Sequence, residues 1–195
     1  MIFDKTTLKP MELVTLHKEA ATVSFKEKFN IMSTMHEHLG QLRLTHISLD
    51  LCSPDNVMLF LSSNPTTGYN VCSTPLWKMD GSISPTNFKN KDFYWWDDCY
   101  IPEGKQAIIE RKENAHGISR GFMICKKVND FYFVYSFGLG QHYIDNESFV
   151  QEHRDAFMKV GDLAYTSLRD LYQKYCPQYK VPAIKTKPAH QLVIR

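Results

Sequence analysis

Nowhere in this chain do two cysteines stand at CxxC spacing. Its five cysteines, Cys52, Cys72, Cys99, Cys125 and Cys176, are odd in number and far apart. That pattern argues against a disulfide framework or a thiolate zinc site, and fits thiols of a reducing compartment. The eight histidines show no zinc-ligand spacing; His36 and His38, two apart, would point away from each other on a helix. No metal and no cofactor is expected. Charge of one sign is lacking too: 23 basic against 21 acidic side chains leave +2, with no basic stripe for a phosphate backbone. A nucleic-acid partner is therefore not expected of this chain alone. The opening MIFDKTTLKPMELV lacks the basic flank and apolar run of a signal peptide. No apolar run approaches the ~20 residues that span a bilayer. A cytoplasmic protein without membrane contact is the expectation. Finally, G-x-S-x-G, a P-loop and G-x-G-x-x-G are all missing. Cys99, His116 and Asp98 can be composed into a triad on paper, but nothing in their spacing demands it, and an enzyme is not expected.

What the chain does have is a length of 195 residues, enough for one domain with a full core. Its aromatic share of 13% is uneven. Phe93, Tyr94, Trp95, Trp96 and Tyr100 crowd together, as do Phe131, Tyr132, Phe133, Tyr135 and Phe137. Residues 1–22 read as a loosely amphipathic lead-in. Ser24, with Glu27 three residues on, reads as a capping box opening a helix to about Leu39, and Gly40 is a good stop. Period 2 follows: Leu44, His46, Ser48 and Asp50 alternate with Thr45, Ile47, Leu49 and Leu51. A turn at Ser53–Asn56 leads to the apolar run Val57–Leu61, predicting a hairpin. Residues 62–92 are rich in Gly, Pro, Asn and Ser and predict short helices and loops. A helix is predicted over Glu103–Asn114, and strands over Ile118–Val128 and Phe131–Leu139, joined at Asn129-Asp130. The longest helix starts at Asn146 or Ser148. Phe149, His153, Phe157, Val160, Ala164, Leu168, Leu171 and Tyr175 form one stripe along it, and Pro177 ends it.

Tight turns between neighbouring strands predict a largely antiparallel sheet, with helices covering its faces. The expected architecture is α/β: a single α/β/α sandwich domain of the PAS or GAF kind. The sensing domain is placed at 1–177. Residues 178–195 hold Pro182 and Pro188 and show no helical stripe, so they read as a linker or tail.

Two stretches carry a resemblance. LSSNPTTGYNVCSTPLWKMDGSISPTNFKNKDFYWW, residues 61–96, places Ser63, Asn64 and Pro65 at a strand end, then Tyr69, then Asp80 fifteen residues before Trp95. HGISRGFMICKKVNDFYFVYSFGLG, residues 116–140, places Gly117, Ile118 and Gly121 before a strand, a turn and an aromatic strand. In their order and spacing they resemble the autoinducer-binding domain of LuxR-type quorum-sensing regulators, over roughly residues 24–175. The resemblance implies a sensory domain that binds a small, mostly apolar molecule and, in a longer or ancestral form, controls transcription. The long C-terminal helix and the spare aromatics predict self-association, as a homodimer or as a heterodimer with a full-length regulator. Departures from the family pattern are specific. Asp80-Gly81 replaces its Asp-Pro, Gly68 stands at or beside the position of its ligand-binding Trp, and its helix-turn-helix is absent. A ligand other than a standard acyl-homoserine lactone follows as an expectation, and so does the absence of operator binding.

The pocket is expected to be aromatic-lined, with Tyr69, Asp80, Trp95, Trp77, Phe93 and Phe60 as ligand-binding residues. Asp80 is the sharpest of them, since a buried carboxylate needs hydrogen-bond donors such as a ligand N–H. It also suits the simpler role of capping the turn SISP. Trp95 and Trp96, adjacent in extended chain, must face opposite ways. Gly117 and Gly121 either admit close backbone approach or simply bend the chain. Two other functions fit the composition: a structural or protein-interaction module with a filled core, and an acyltransferase of the autoinducer-synthase or N-acetyltransferase type. The acyltransferase would need a phosphate-binding turn that Arg120-Gly121 begins and does not continue.

Overall fold

The computed structural model describes residues 11–140 and 146–186. The elements, in chain order, are β1 (Thr15–Leu16), α1 (Val23–Lys26), α2 (Lys28–Gln41), β2 (Leu44–Cys52), β3 (Val57–Ser62), α3 (Pro65–Cys72), α4 (Pro85–Phe88), β4 (Phe93–Trp95), α5 (Pro102–Ile108), β5 (Ile118–Val128), β6 (Phe131–Gly140), α6 (Asn146–Glu152) and α7 (Arg154–Tyr175). Between them lie 3-10 turns at Pro75–Met79, Gly81–Ile83 and Asn114–His116, and a π-turn at Ile109–Glu113.

Among the described residues the sheet has six strands in the order β1-β3-β2-β6-β5-β4. Every pairing is antiparallel except the short β1 beside β3. Both hairpins follow from their turns. Asn56 and Asn129 hold φ of 58° and 54°, a region that asparagine tolerates better than most side chains.

Strand alternation divides the interior in two. Ile47, Leu49, Leu51, Leu59, Leu61, Phe122, Ile124, Phe133 and Phe137 face α2 and α7, where Ile31, Met35, Phe157, Val160, Ala164 and Leu168 meet them. Met58, Phe60, Met123, Cys125 and Val134 face the other way, under a cover of Ile83, Phe88, Tyr94, Trp96, Tyr100 and Ile108. The result is an α/β/α sandwich with one dry core and one face roofed by short helices and turns.

Several expectations are revised locally. Ser24 does not cap a helix: its hydroxyl accepts from the Ser62 N–H (3.0 Å) and tethers α1 to β3. Glu27 breaks the helix into α1 and α2, and its carboxylate takes Lys174 Nζ (2.6 Å) and the Tyr175 hydroxyl (2.8 Å) of α7. The predicted helix Glu103–Asn114 is an α-turn that widens into the π-turn. The longest helix is interrupted at His153. Gly121 stands where a Cβ would fall 2.0 Å from the Trp96 ring, so the close-approach role holds there. Gly117 takes φ +66°, a left-handed cap that ends its 3-10 turn.

Residues 178–186 contain no helix or strand, yet they are not loose. Val181 is fully buried; the Tyr165 hydroxyl donates to the Pro182 carbonyl (2.7 Å), and Arg169 Nη2 donates to that of Val181 (2.9 Å). The start of the expected linker is thus docked along α7, and its remainder, 187–195, lies outside the described residues.

Candidate ligand pocket

The roofed face of the sheet contains a pocket of about 540 Å³, its open mouth included. Its floor comes from β2, β3, β6 and β5: His46, Ser48 and Asp50, then Phe60 and Ser62, then Ser136, then Met123. Ser62, Ser48 and Ser136 lie opposite one another on three neighbouring strands, a hydrophilic row across the middle of a covered sheet. The walls are Ala20 and Ser24, Pro65, Thr67, Gly68, Val71 and Cys72 of α3, Asp80 and Ile83, and Lys112.

One wall is an ion-pair cluster. Asp80 Oδ1 accepts from the Ser82 N–H (3.1 Å) and hydroxyl (2.5 Å), the capping role its sequence context allows. Asp80 Oδ2 accepts from Lys112 Nζ at 2.8 Å. Lys112 also donates to Ser82 Oγ (2.9 Å), and its ammonium sits 4.1 Å from the centre of the Trp96 ring. The π-turn explains how a lysine gets there: the widened turn sends both Lys112 and its neighbour Glu113 inward, Glu113 to accept from the Tyr100 hydroxyl at 2.9 Å. Burial raises the Glu113 pKa.

On the floor, Asp50 is 4% exposed, and the Ser48 hydroxyl donates to its Oδ1 at 2.5 Å. Burial raises its pKa to about 7 against the pull of that hydrogen bond and of Lys112. Burial, helped by the charge of Lys112, drops His46 to about 3. Two buried polar atoms of the lining, His46 Nδ1 and Thr67 Oγ1, have no hydrogen-bond partner among the described residues. An unpaired buried polar atom is costly, so each is a place for a ligand or water to bind.

Of the six residues singled out from the sequence, Asp80 and Phe60 line this pocket. Tyr69 does not; it is half-exposed on α3, its ring edge-on to Phe25 at 5.9 Å, one residue beyond the lining Gly68. Trp77 borders a separate cleft of about 140 Å³ on the far side of Asp80, with Met11, Leu13 and Val14. Trp95 and Phe93 lie on the opposite face of the sheet, against the dry core, with the Arg120 guanidinium 3.9 Å over the Trp95 ring. Strand parity gives the reason: β4 runs Phe93, Tyr94, Trp95, so Tyr94 and then Trp96 reach the roofed face. Phe60 and the His46 imidazole are the rings of the lining; the rest joins apolar Val71, Ile83 and Met123 to the serines, carboxylates and lysine, where an aromatic lining is expected from the sequence. Asp50, His46, Ser136, Thr67 and Lys112 escaped the sequence reading. The first two were visible as the polar half of a period-2 strand; Lys112 was hidden by the π-turn.

Cys99, Asp98 and His116 are not joined by hydrogen bonds; His116 Nδ1 meets Asn64 Nδ2 at 3.1 Å, and burial holds the Cys99 thiol up to about 11. Among the described residues no group of His, Cys, Asp and Glu is placed to hold a metal, and no helix is long and apolar enough to cross a membrane.

No protein-family model matches the chain, and no curated protein matches it either. Solved structures do. Escherichia coli SdiA shares 19% identity at a TM-score of 0.57 over 74% of this chain and 63% of that one. SdiA in complex with octanoyl-rac-glycerol shares 18% at 0.55, over 83% of this chain and 66% of that one. CepR2 of Burkholderia cenocepacia, an N-acylhomoserine lactone dependent LuxR family transcription factor, shares 10% at 0.52, over 74% and 88%. The chain thus spans somewhat under two thirds of the length of these two SdiA chains. What these likenesses establish is the architecture: this chain has the α/β/α fold of the LuxR-type autoinducer-binding domains of SdiA and CepR2.

Proposed function

We propose that the chain is a small-molecule-sensing domain of a LuxR-type regulator, and that its ligand lies between the sheet and α3 with its polar end among the buried polar groups of the floor. The observation that carries this reading is a roofed pocket whose buried His46 Nδ1 and Thr67 Oγ1 lack partners among the described residues. A structural module with a filled core would have no reason to keep them unpaired. The part of the ligand beyond its head group is apolar, held against Phe60, Val71, Ile83 and Met123.

A standard acyl-homoserine lactone is not the ligand in this reading. Gly68 offers no side chain to hold a lactone carbonyl, and a Cβ built there would meet nothing within 4 Å. A melting-temperature series tests both statements. Lactones of increasing chain length should leave the midpoint unchanged, whereas 1-octanoylglycerol, the kind of molecule that SdiA is seen with, should raise it saturably. A ligand at 100 times its Kd adds about 2.7 kcal/mol. A saturable shift with any lactone overturns the second statement; no shift with 1-octanoylglycerol or with any other octyl amphiphile counts against the first.

The same reading has the domain pair with a second copy or a full-length regulator through exposed aromatics. Phe29 on α2 is 90% exposed and Phe25 about half. Sedimentation of a monomer at high concentration argues against it. DNA control belongs, in this reading, to a longer or partner chain, so residues 1–195 should give no sequence-specific gel shift.

A further inference from the structure

Two carboxylates and one ammonium line the pocket, and they are unequally matched. Lys112 is held by Asp80, by Ser82 and by the Trp96 ring, so its charge is already answered. Among the described residues Asp50 has no ion-pair partner within 4 Å; its hydrogen-bond partner there is the neutral Ser48 hydroxyl. A buried carboxylate in that position either takes up a proton or receives a cation. The groups around it on the floor are neutral acceptors. Ser136 lies opposite Ser48, two residues from Asp50 along the sheet, and His46 and Thr67 bring the two unpaired atoms.

We infer that the pocket selects an apolar molecule carrying a protonated primary amine, and that Asp50 receives the ammonium. The inference rests on the ligand-sensing reading and adds the charge of the head group to it. An ammonium has three N–H donors on one small centre. One meets an Asp50 oxygen, and the others meet the hydroxyls and the neutral imidazole beside it. A carboxylate head is refused, because it would face Asp50 and Asp80 with the single lysine already engaged. A neutral alcohol leaves Asp50 without a counter-charge. Asp50 is thereby the residue that sets specificity, while Asp80 keeps Lys112 in place.

The groups that face Asp50 are His46 on its own strand, Lys112 from the π-turn, Asp80 from the loop before Gly81, Cys72 of α3, Tyr94 of β4, Cys125 of β5 and, through the sheet, Tyr172 of α7. Burial pushes both thiols to about 12 and the phenols upward, and His46 stands near 3. Asp50, at about 7, is the member that changes charge across neutrality.

Calorimetric titration of the whole chain with octylamine, 1-octanol and octanoic acid, below their solubility limits, tests the assignment. Octylamine should bind most tightly and more strongly at pH 8 than at pH 6, and octanoic acid least. Asp50→Asn keeps the shape and removes the charge. It should weaken octylamine about tenfold or more without weakening 1-octanol, and an unchanged far-UV circular dichroism spectrum shows that the variant folds. Equal binding of 1-octanol and octylamine by the unaltered chain overturns the inference, and so does full retention of octylamine by Asp50→Asn. If the alcohol binds and the amine does not, the amine assignment alone falls. If none of the three binds, the sensing reading falls with it.

Discussion

Asp50 and His46 stand two residues apart on the same face of β2, and burial shifts them in opposite directions. Asp50 rises from its ordinary 3.8 to about 7, so the folded chain holds a proton there that the unfolded chain releases. Its contribution to stability is therefore lost as pH rises from about 4 to about 7. His46 falls from 6.5 to about 3, so the unfolded chain binds the extra proton, and stability is lost as pH falls through that interval. Between about pH 4 and 6.5 the two slopes oppose each other. Asp50→Asn should remove one of them. The free variant should melt higher than the parent at pH 8, by an amount that approaches about 4 kcal/mol for a shift of roughly three pH units. It should also lose stability more steeply than the parent on acidification below pH 6.5. Melting curves from pH 4 to 8 check this, and parallel curves for the two proteins would refute it. These residues were half legible. The alternation of His46, Ser48 and Asp50 with Ile47 and Leu49 is plain in the sequence. What was not plain is that both faces of the strand are covered, which turns a polar face from solvent contact into a buried floor.

At the scale of elements, the hairpins and the helical stripe could be read because each rests on local chemistry: asparagine in a left-handed turn, apolar spacing along α7. Phe149, Phe157, Val160, Ala164 and Leu168 are buried along one side as the spacing requires. Elements decided by distant partners were not legible. β1 exists because Thr15 and Leu16 find β3, and β4 exists because Phe93–Trp95 find β5. The docked segment 178–186 belongs to that second class. Pro182 within it and Pro177 just before it argue against helix and strand, and nothing local announces that Arg169, Gln173 and Tyr165 of α7 will satisfy its backbone. Tyr179 adds a ring contact with Phe131 at 5.8 Å and donates to Asp55 at 2.6 Å. Replacing Tyr165 with Phe and Arg169 with Ala together should free this segment. Limited proteolysis should then cut near Lys180 several times faster, with a loss of only about 1–3 kcal/mol in global stability, since three donors, making four hydrogen bonds to the Val181 and Pro182 carbonyls, disappear. Unchanged cleavage would mean that Val181 alone anchors it.

On the scale of the molecule, the two faces of the sheet differ in kind. One is a continuous apolar contact with α2 and α7, knotted by the Tyr172 hydroxyl donating to the Leu49 carbonyl and by Tyr135 donating to Asp162 (2.7 Å). The other is assembled from α3, α4 and short 3-10 and π-turns, with unpaired polar atoms beneath it. Local opening costs least where apolar contacts are few and elements short. Amide exchange should therefore be slowest in β2, β5, β6 and α7 and faster across 65–83 and 109–116. A saturating dose of whichever octyl compound binds best should slow exchange in those two segments and leave α7 unchanged. Uniform slowing would place the ligand's effect on global unfolding instead.

The parity of β2 has one more consequence, and it concerns change over time. Positions 47, 49 and 51 hold the scaffold together, while positions 46, 48 and 50, with 62 and 136 beside them, line the roofed pocket. The two sets interleave in the chain but lie on opposite faces in space, so they are free to vary on separate schedules. A lineage, or a laboratory library randomised at the second set, can reshape the pocket without rebuilding the core. On the proposed sensing reading, chains that agree on the scaffold can thereby come to answer to different chemical signals.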